Sequence, residues 1–325
     1  MTSATLTVWC NLPLPELSRV ALVGGLGVHR LVQASEIPPF NQPLGRPDAG
    51  LLAADIVFGQ PEAEQCVESK RLLWVQLSSA GHATFANTDV RAALVTRGIP
   101  VSTSSAVYDE PCAQHALGFM LAEARQFPHS LGDQLATHAW DTVRTRAGSF
   151  LLKGQTVLLV GYGAIATRLA QLLAPFDMKV VGFRRRPRGD EIIQVHPISE
   201  LASWLPRADF VIDILPAMTE TTEFFDEAAF AAMKPGAIFI NIGRGTTVDQ
   251  AALLAALRND LRAAYLDVTV PEPLPPDDAL WTQPNCFITP HVAGGHHDEY
   301  QRLVAHFLTN VERFLRGQPL VNRVY

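Results

Sequence analysis

The sequence predicts an α/β protein made of two doubly wound parallel-sheet domains, and three observations lead there. First, residues 155–186 read strand, glycine turn, helix, strand, with apolar runs at Val157 to Val160 and Val180 to Phe183. Second, further apolar runs alternate with helical patterns after that segment, the order that builds a parallel sheet. Third, the runs are continuously hydrophobic instead of alternating, which suits strands covered on both faces. A chain of 325 residues with 48% hydrophobic content can bury a large core in two domains.

In chain order, residues 5–10, 54–59 and 72–77 are apolar runs bounded by turn residues, and residues 100–103 follow the turn at Gly98. Residues 23–28 also carry glycines, but Arg30 follows and no clear βαβ unit surrounds them, so they are set aside. Residues 40–50 are rich in Pro and Gly and read as a surface loop. A long helical pattern spans residues 105–125. Strands are then expected at 156–161, 179–183, 193–196, 210–215, 237–242, 263–268 and 286–289. Between them lie helices at 226–233 and 249–257, with Asp226 and Asp249 as N-caps. A final helix at 297–316 is long enough to return to the first domain. The expected division is therefore a discontinuous domain of residues 1–103 and 297–325 beside a domain of residues 104–296, with a cleft between them. No internal repeat or low-complexity tract is evident.

Charge and composition exclude several classes. A formal charge of −6 argues against nucleic acid as a main partner, and the one basic cluster, Arg184 to Arg188, suits a single phosphate. The four cysteines, Cys10, Cys66, Cys112 and Cys286, are far apart with no C-x-x-C pair, as expected for reduced thiols in a cytoplasmic protein. No run of 18 apolar residues and no signal-like N-terminus appears, so neither membrane spanning nor secretion is expected. The pair His296-His297 lacks a clustered carboxylate or cysteine, so no metal site is expected and helix-capping or solvated histidines fit better.

The turn Gly161-Tyr162-Gly163-Ala164-Ile165-Ala166 is a G-x-G-x-x-[G/A] fingerprint placed between two strands. Gly161 takes the tight turn, Gly163 lets a pyrophosphate approach the backbone, and Ala166 permits close helix–sheet packing. Ala164 and Ile165 open a helix whose N-terminus faces the phosphates, with Ile165, Leu169 and Leu172 forming the expected apolar stripe. About 20 residues on, where an acid would accept from a ribose 2′-OH, the chain has Arg184, Arg185 and Arg186. A carboxylate repels a 2′-phosphate, whereas guanidinium groups bind one through charge-assisted hydrogen bonds. Each such bond contributes roughly 1.5–3 kcal/mol, enough for a tenfold preference. The expected cofactor is NADP(H) in preference to NAD(H).

Ligands of open α/β sheets bind beyond the carboxyl ends of the strands. Three expected strands end there in reactive groups: INIG runs into Arg244, LDVTVP into Glu272, and FITP into His291. Arg can clamp a carboxylate, His can exchange a proton with a carbonyl oxygen, and Glu can orient the imidazole and raise its pKa. Each alone also fits a duller role: a solvated turn for Arg244, an exposed acid between prolines for Glu272, a packed strand end for His291. Their joint arrival at one sheet edge favours chemistry.

With these residues the chain resembles the D-2-hydroxyacid dehydrogenase family over nearly its full length. GYGAIA, INIGRG, LDVTVPEPLP and TPHVAGG match family motifs in the family's order, and the likeness is loosest over the first seventy residues. The resemblance implies a Rossmann nucleotide-binding domain plus a flavodoxin-like substrate domain, with Arg244, Glu272 and His291 as catalytic residues. It implies that the backbone N–H groups of Ala80 and Gly81 hold the substrate carboxylate. Cys112, Leu215, Pro216, Ile242, Asp267 and His291 are implied to touch the cofactor, although buried packing explains Cys112 as well and a strand-end cap explains Asp267. Arg184 departs from the usual acid, as in NADP-using glyoxylate and hydroxypyruvate reductases; Gln114 departs from the acid usual before His115. A homodimer is implied. The expected activity is hydride transfer between NADP(H) and a small 2-keto or D-2-hydroxy acid. Its alternatives are a phosphite- or formate-type dehydrogenase of the same fold and a nucleotide-sensing corepressor-like binding protein.

Overall fold

Five short strands form the first sheet: β1 (Thr7–Cys10), β2 (Arg30–Gln33), β3 (Ile56–Gly59), β4 (Trp74–Leu77) and β5 (Val101–Ser102). They are parallel and ordered β2-β1-β3-β4-β5, the flavodoxin-like winding. The computed structural model describes residues 5–37 and 47–325. It divides into two compact units, one comprising the described residues up to Tyr108 with His296–Tyr325, the other Asp109–Gly295. Most of the Pro/Gly-rich 40–50 segment lies outside the described residues; at its end Asp48 caps the helix Ala49–Leu52, accepting from the Gly50 N–H at 2.7 Å.

β3 and β4 are buried along their whole length, as continuous apolar runs require. β2 was not expected. It is an edge strand with exposed Arg30 and Gln33 at its ends, so it carries little hydrophobic signal. Residues 23–26 therefore do lie within a βαβ unit, in the helix Glu16–Leu26 that joins β1 to β2. Of their two glycines only Gly25 serves packing: a Cβ there would stand 2.3 Å from Leu308 of the helix Glu299–Leu315, whereas one on Gly24 would meet nothing. That terminal helix buries Leu303, Val304, Phe307 and Val311. Phe307 stacks on Phe58 with ring centroids 4.2 Å apart and also meets Trp74. Burying such a side chain contributes about 1.5–3 kcal/mol, which is how the chain's last helix is held to its first sheet.

The second unit holds β6 (Thr156–Val160), β7 (Lys179–Arg184), β8 (Gln194–Pro197), β9 (Phe210–Asp213), β10 (Ile238–Asn241), β11 (Ala263–Leu266) and β12 (Cys286–Ile288). All seven are parallel, in the order β12-β11-β10-β9-β6-β7-β8, the Rossmann winding with its switch point between β6 and β9. Val157 to Val160 are fully buried. Asp226 caps its helix by accepting from Ala229 N–H at 2.9 Å, and Asp249 accepts from Ala251 and Ala252 at 2.9 and 3.1 Å. The helix after the glycine turn, Ala164–Leu173, buries Ala166, Leu169, Ala170 and Leu173. The stripe is thus rotated from the expected one, leaving Ile165 half-buried. Two helices were not anticipated, Phe127–Ala136 and Thr142–Gly148; neither buries a residue, and the stripe Phe127, Leu131 and Leu135 on the first faces outward. No helix among the described residues is long and apolar enough to cross a membrane.

Candidate active site

Glycines stitch the strand-end loops of the second unit together. Gly161 has φ of 99°, open to glycine alone without strain, and a Cβ there would stand 2.6 Å from the Ile214 carbonyl after β9. On Gly243 a Cβ would meet the Leu215 carbonyl at 2.7 Å, and on Gly245 the Thr269 carbonyl at 1.9 Å. The loops after β6, β9, β10 and β11 therefore touch backbone to backbone in series. Gly163 is the contrast: a Cβ there would meet only the Gly161 carbonyl, at 4.0 Å. That open face precedes the N-terminus of the helix Ala164–Leu173, which no side chain caps. Free N–H groups beside a glycine face fit a pyrophosphate.

His291 and Glu272 form the reactive pair, His291 Nδ1 lying 2.8 Å from Glu272 Oε2. Their side chains are 51% and 38% exposed, so each can reach a ligand. The Glu272 hydrogen bond and charge raise the His291 pKa above its ordinary value, against burial and the Arg244 charge. Burial pushes the Glu272 carboxyl up, but His291, the Thr269 N–H and Arg244 outweigh it and its pKa is lowered. Both shifts favour an imidazolium–carboxylate pair.

The backbone aims His291. Its φ is 52°, an uncommon left-handed conformation for a residue with a side chain. Its N–H donates to the Asp267 carbonyl at 2.8 Å. The buried Asp267 carboxylate accepts from Val292 N–H at 2.8 Å, Ala293 N–H at 2.9 Å and Thr289 Oγ1 at 2.6 Å. It thus caps the turn on both sides of His291. Glu272 is held similarly, accepting from Thr269 N–H at 3.1 Å, while Val270 exchanges two 2.7 Å hydrogen bonds with Gln250.

Arg244 stands on the loop after β10. Asn241 shapes that loop, its Oδ1 accepting from Gly243 N–H at 2.9 Å and its Nδ2 donating to the Arg244 carbonyl at 3.0 Å. The Arg244 guanidinium donates to the Gly243 carbonyl at 2.6 Å and its charge acts on both Glu272 and His291. A cation, an imidazole and its carboxylate thus share one edge, and those three expected residues come together. Ala80 and Gly81 belong to the first unit, where Ser79 Oγ donates to the Gly81 carbonyl at 2.6 Å and Tyr108 OH to the Ser78 carbonyl at 2.9 Å.

At the end of β7, Arg184 is one-quarter exposed with its Nη1 3.4 Å from Glu191, which also accepts from Arg188 and Gly189 N–H groups. Arg185 and Arg186 are exposed. Cys112, Leu215 and Ile242 are buried, and Pro216 is exposed. Gln114 is engaged within its own helix, donating to Glu110 at 2.5 Å. His296 lies 2.8 Å from Asp298, and the described residues contain no cluster of three His, Cys, Asp or Glu side chains able to hold a metal.

Sequence reasoning missed four residues here. His115 places Nε2 3.1 Å from Thr289 Oγ1 beside Asp267; Asp213 and Thr247 join two strand-end loops. The signal for these three was weak: each makes a tertiary contact distant in sequence. The N-x-G of Asn241-Ile242-Gly243 alone carried a local cue, an Asn folding back on its own loop.

A Rossmann sheet with an open glycine turn and an Arg/Glu/His edge defines a nicotinamide-dependent dehydrogenase. The sequence model of the D-isomer specific 2-hydroxyacid dehydrogenase NAD binding domain matches residues 117–293, and the chain belongs to that family. Glyoxylate/hydroxypyruvate reductase B of Citrobacter koseri is 31% identical over 277 residues, 84% of this chain and 85% of that one. The crystal structure of the TT0316 protein from Thermus thermophilus is 30% identical, with a TM-score of 0.76 over 98% of this chain and all of that one. A D-isomer specific 2-hydroxyacid dehydrogenase from Xanthobacter autotrophicus Py2, solved with NADPH and MES, is 25% identical, with a TM-score of 0.82 over 99% and 98%. This chain is accordingly an NAD(P)-dependent dehydrogenase acting on small hydroxy or keto acids.

Proposed function

We propose that the enzyme is an NADP(H)-preferring reductase of small 2-keto acids such as glyoxylate, hydroxypyruvate or a larger pyruvate. The observation that carries this reading is the His291–Glu272 pair, 2.8 Å apart, standing with Arg244 on one sheet edge. Gly161, Gly163, Ala164 and Ile165 would hold the pyrophosphate. Arg184, Arg185 and Arg186 would face the 2′-phosphate, and Cys112, Leu215, Pro216, Ile242 and Asp267 would line the cofactor path. When bound, the cofactor supplies hydride. Arg244 grips the substrate carboxylate and fixes the carbonyl toward His291. The imidazolium of His291 gives its Nε2 proton to the carbonyl oxygen while Nδ1 stays bonded to Glu272. The name of the Citrobacter koseri relative and the NADPH bound to the Xanthobacter protein support this choice of substrate and cofactor.

Residues 1–103 and 297–325 would be the substrate domain, within the first unit, and residues 104–296 the nucleotide-binding domain, whose 104–108 and 296 fall in the first unit. Cytoplasmic residence accords with four cysteines that are all buried and form no disulfide. A homodimer accords with the apolar side chains left exposed on residues 127–151: Phe127, Leu131, Leu135, Trp140, Val143 and Leu151, with Trp140 95% exposed. A panel of 2-keto acids assayed with NADPH and NADH, with formate and phosphite as oxidation substrates, tests the proposal. Keto-acid reduction faster with NADPH is expected. Oxidation of phosphite or formate without keto-acid reduction, or no turnover at all, would overturn it.

A further inference from the structure

We propose that Asp213 acts as a neutral carboxylic acid that, through Thr247, positions the backbone of Arg244. This rests on the foregoing reading only in giving Arg244 the substrate carboxylate. Asp213 ends β9 and is fully buried, as is Thr247. Asp213 Oδ1 accepts from Leu215 N–H at 2.9 Å, and its Oδ2 is hydrogen-bonded to Thr247 Oγ1. The same Oγ1 lies 2.6 Å from the Arg244 carbonyl.

Proton counting decides the state. A threonine hydroxyl has one proton, and a carbonyl can only accept. If Thr247 gives that proton to Arg244, the contact with Asp213 needs a proton from the acid. If Asp213 is ionised, Thr247 must turn to it, and two oxygens are left facing each other at the Arg244 carbonyl. Only the neutral acid satisfies both contacts. The surroundings agree. Asp213 pairs in register with Val160 on β6 and Asn241 on β10, neither ionisable. The ionisable groups on the loops around Thr247 are Glu223, Arg244 and Asp249, and none acts on Asp213; Arg244 acts instead on His291 and Glu272. Burial would raise the carboxyl to about 7 even with Thr247 donating to it alongside the Leu215 N–H. Raising the pH through that value breaks one of the two links and loosens the loop that carries Arg244.

The test is Asp213→Asn, whose amide donates to Thr247 and whose oxygen accepts from Leu215 at every pH. With NADPH saturating, the keto-acid KM of the wild-type enzyme should rise from pH 6 to 8.5, by at most roughly thirtyfold for one ionisation near 7, while that of D213N stays nearly flat relative to it. Thermal unfolding supplies a second readout that needs no substrate. A raised carboxyl pKa weakens the wild-type fold between the ordinary carboxylate range and pH 7, so D213N should gain roughly 5–10 °C on it between pH 4 and 8. A growing Tm gap with no difference in KM would leave the neutral acid standing and remove Arg244 as carboxylate ligand. Parallel Tm profiles, or a D213N protein less stable than wild type at every pH, would overturn the proposal.

Discussion

Replacing Glu272 with Gln removes the charge facing His291 while leaving an oxygen that can accept from Nδ1. The 2.8 Å hydrogen bond can persist, so ring orientation should survive; the charge assistance is lost, and with it the Thr269 N–H bond, because the amide nitrogen takes the place of the second oxygen. Charged hydrogen bonds contribute about 1.5–3 kcal/mol and neutral ones about 0.5–1.5. Both side chains are more than a third exposed, and solvent screening holds the difference to about 1 kcal/mol, or about fivefold in rate. The sign follows from the shift: Glu272 raises the His291 pKa, so the imidazolium persists to higher pH than an isolated histidine would. On the proposed mechanism keto-acid reduction needs that imidazolium and should fail as pH rises through the folded-state pKa. In E272Q the alkaline limb of kcat should move to lower pH, with kcat at pH 7.5 reduced about fivefold. The assay is steady-state reduction at saturating NADPH and keto acid from pH 5.5 to 9. A limb that stays in place, or a loss above a hundredfold at every pH, would refute the reasoning, the latter by giving Glu272 a direct chemical part.

Two further expectations concern the cofactor and assembly. Arg184→Asp should move the preference from NADPH toward NADH, since it puts a carboxylate where a 2′-phosphate is to dock; unchanged kcat/KM ratios for the two cofactors would remove Arg184 from that role. Trp140→Glu places a charge on the exposed apolar face of residues 127–151 and should lower the mass seen by light scattering from dimer toward monomer, whereas a wild-type protein already monomeric would dispose of the homodimer.

Much of the fold was legible because buried parallel strands leave continuous apolar runs: β3, β4, β6, β9, β10 and β11 are buried over almost every residue. β2 was not, since an edge strand half open to solvent needs little hydrophobicity. The helices Phe127–Ala136 and Thr142–Gly148 turn apolar residues outward; Phe127, Leu131 and Leu135 carry a helical spacing, but Thr142–Gly148 has no such stripe to separate it from a loop. In the site, Arg244, Glu272 and His291 were visible because each lies on the loop that follows a strand. The network beneath them was hidden for the opposite reason. Asp213 meets Thr247 only because β9 and β10 are neighbours, and Asp267 caps the His291 turn across 25 and 26 residues. A lone Asp at a strand end reads as a cap or a ligand with equal ease, and only the folded backbone tells which N–H groups it takes.

The central claim is that the His291 imidazole delivers the proton to the substrate carbonyl. Its most direct measurement compares His291→Ala with the wild-type enzyme in reduction of glyoxylate and hydroxypyruvate, with NADPH affinity determined separately by fluorescence. Loss of a general acid predicts kcat lower by roughly 10²–10⁴ with cofactor binding little changed. Turnover within a few-fold of wild type, with NADPH bound equally well, would contradict the account.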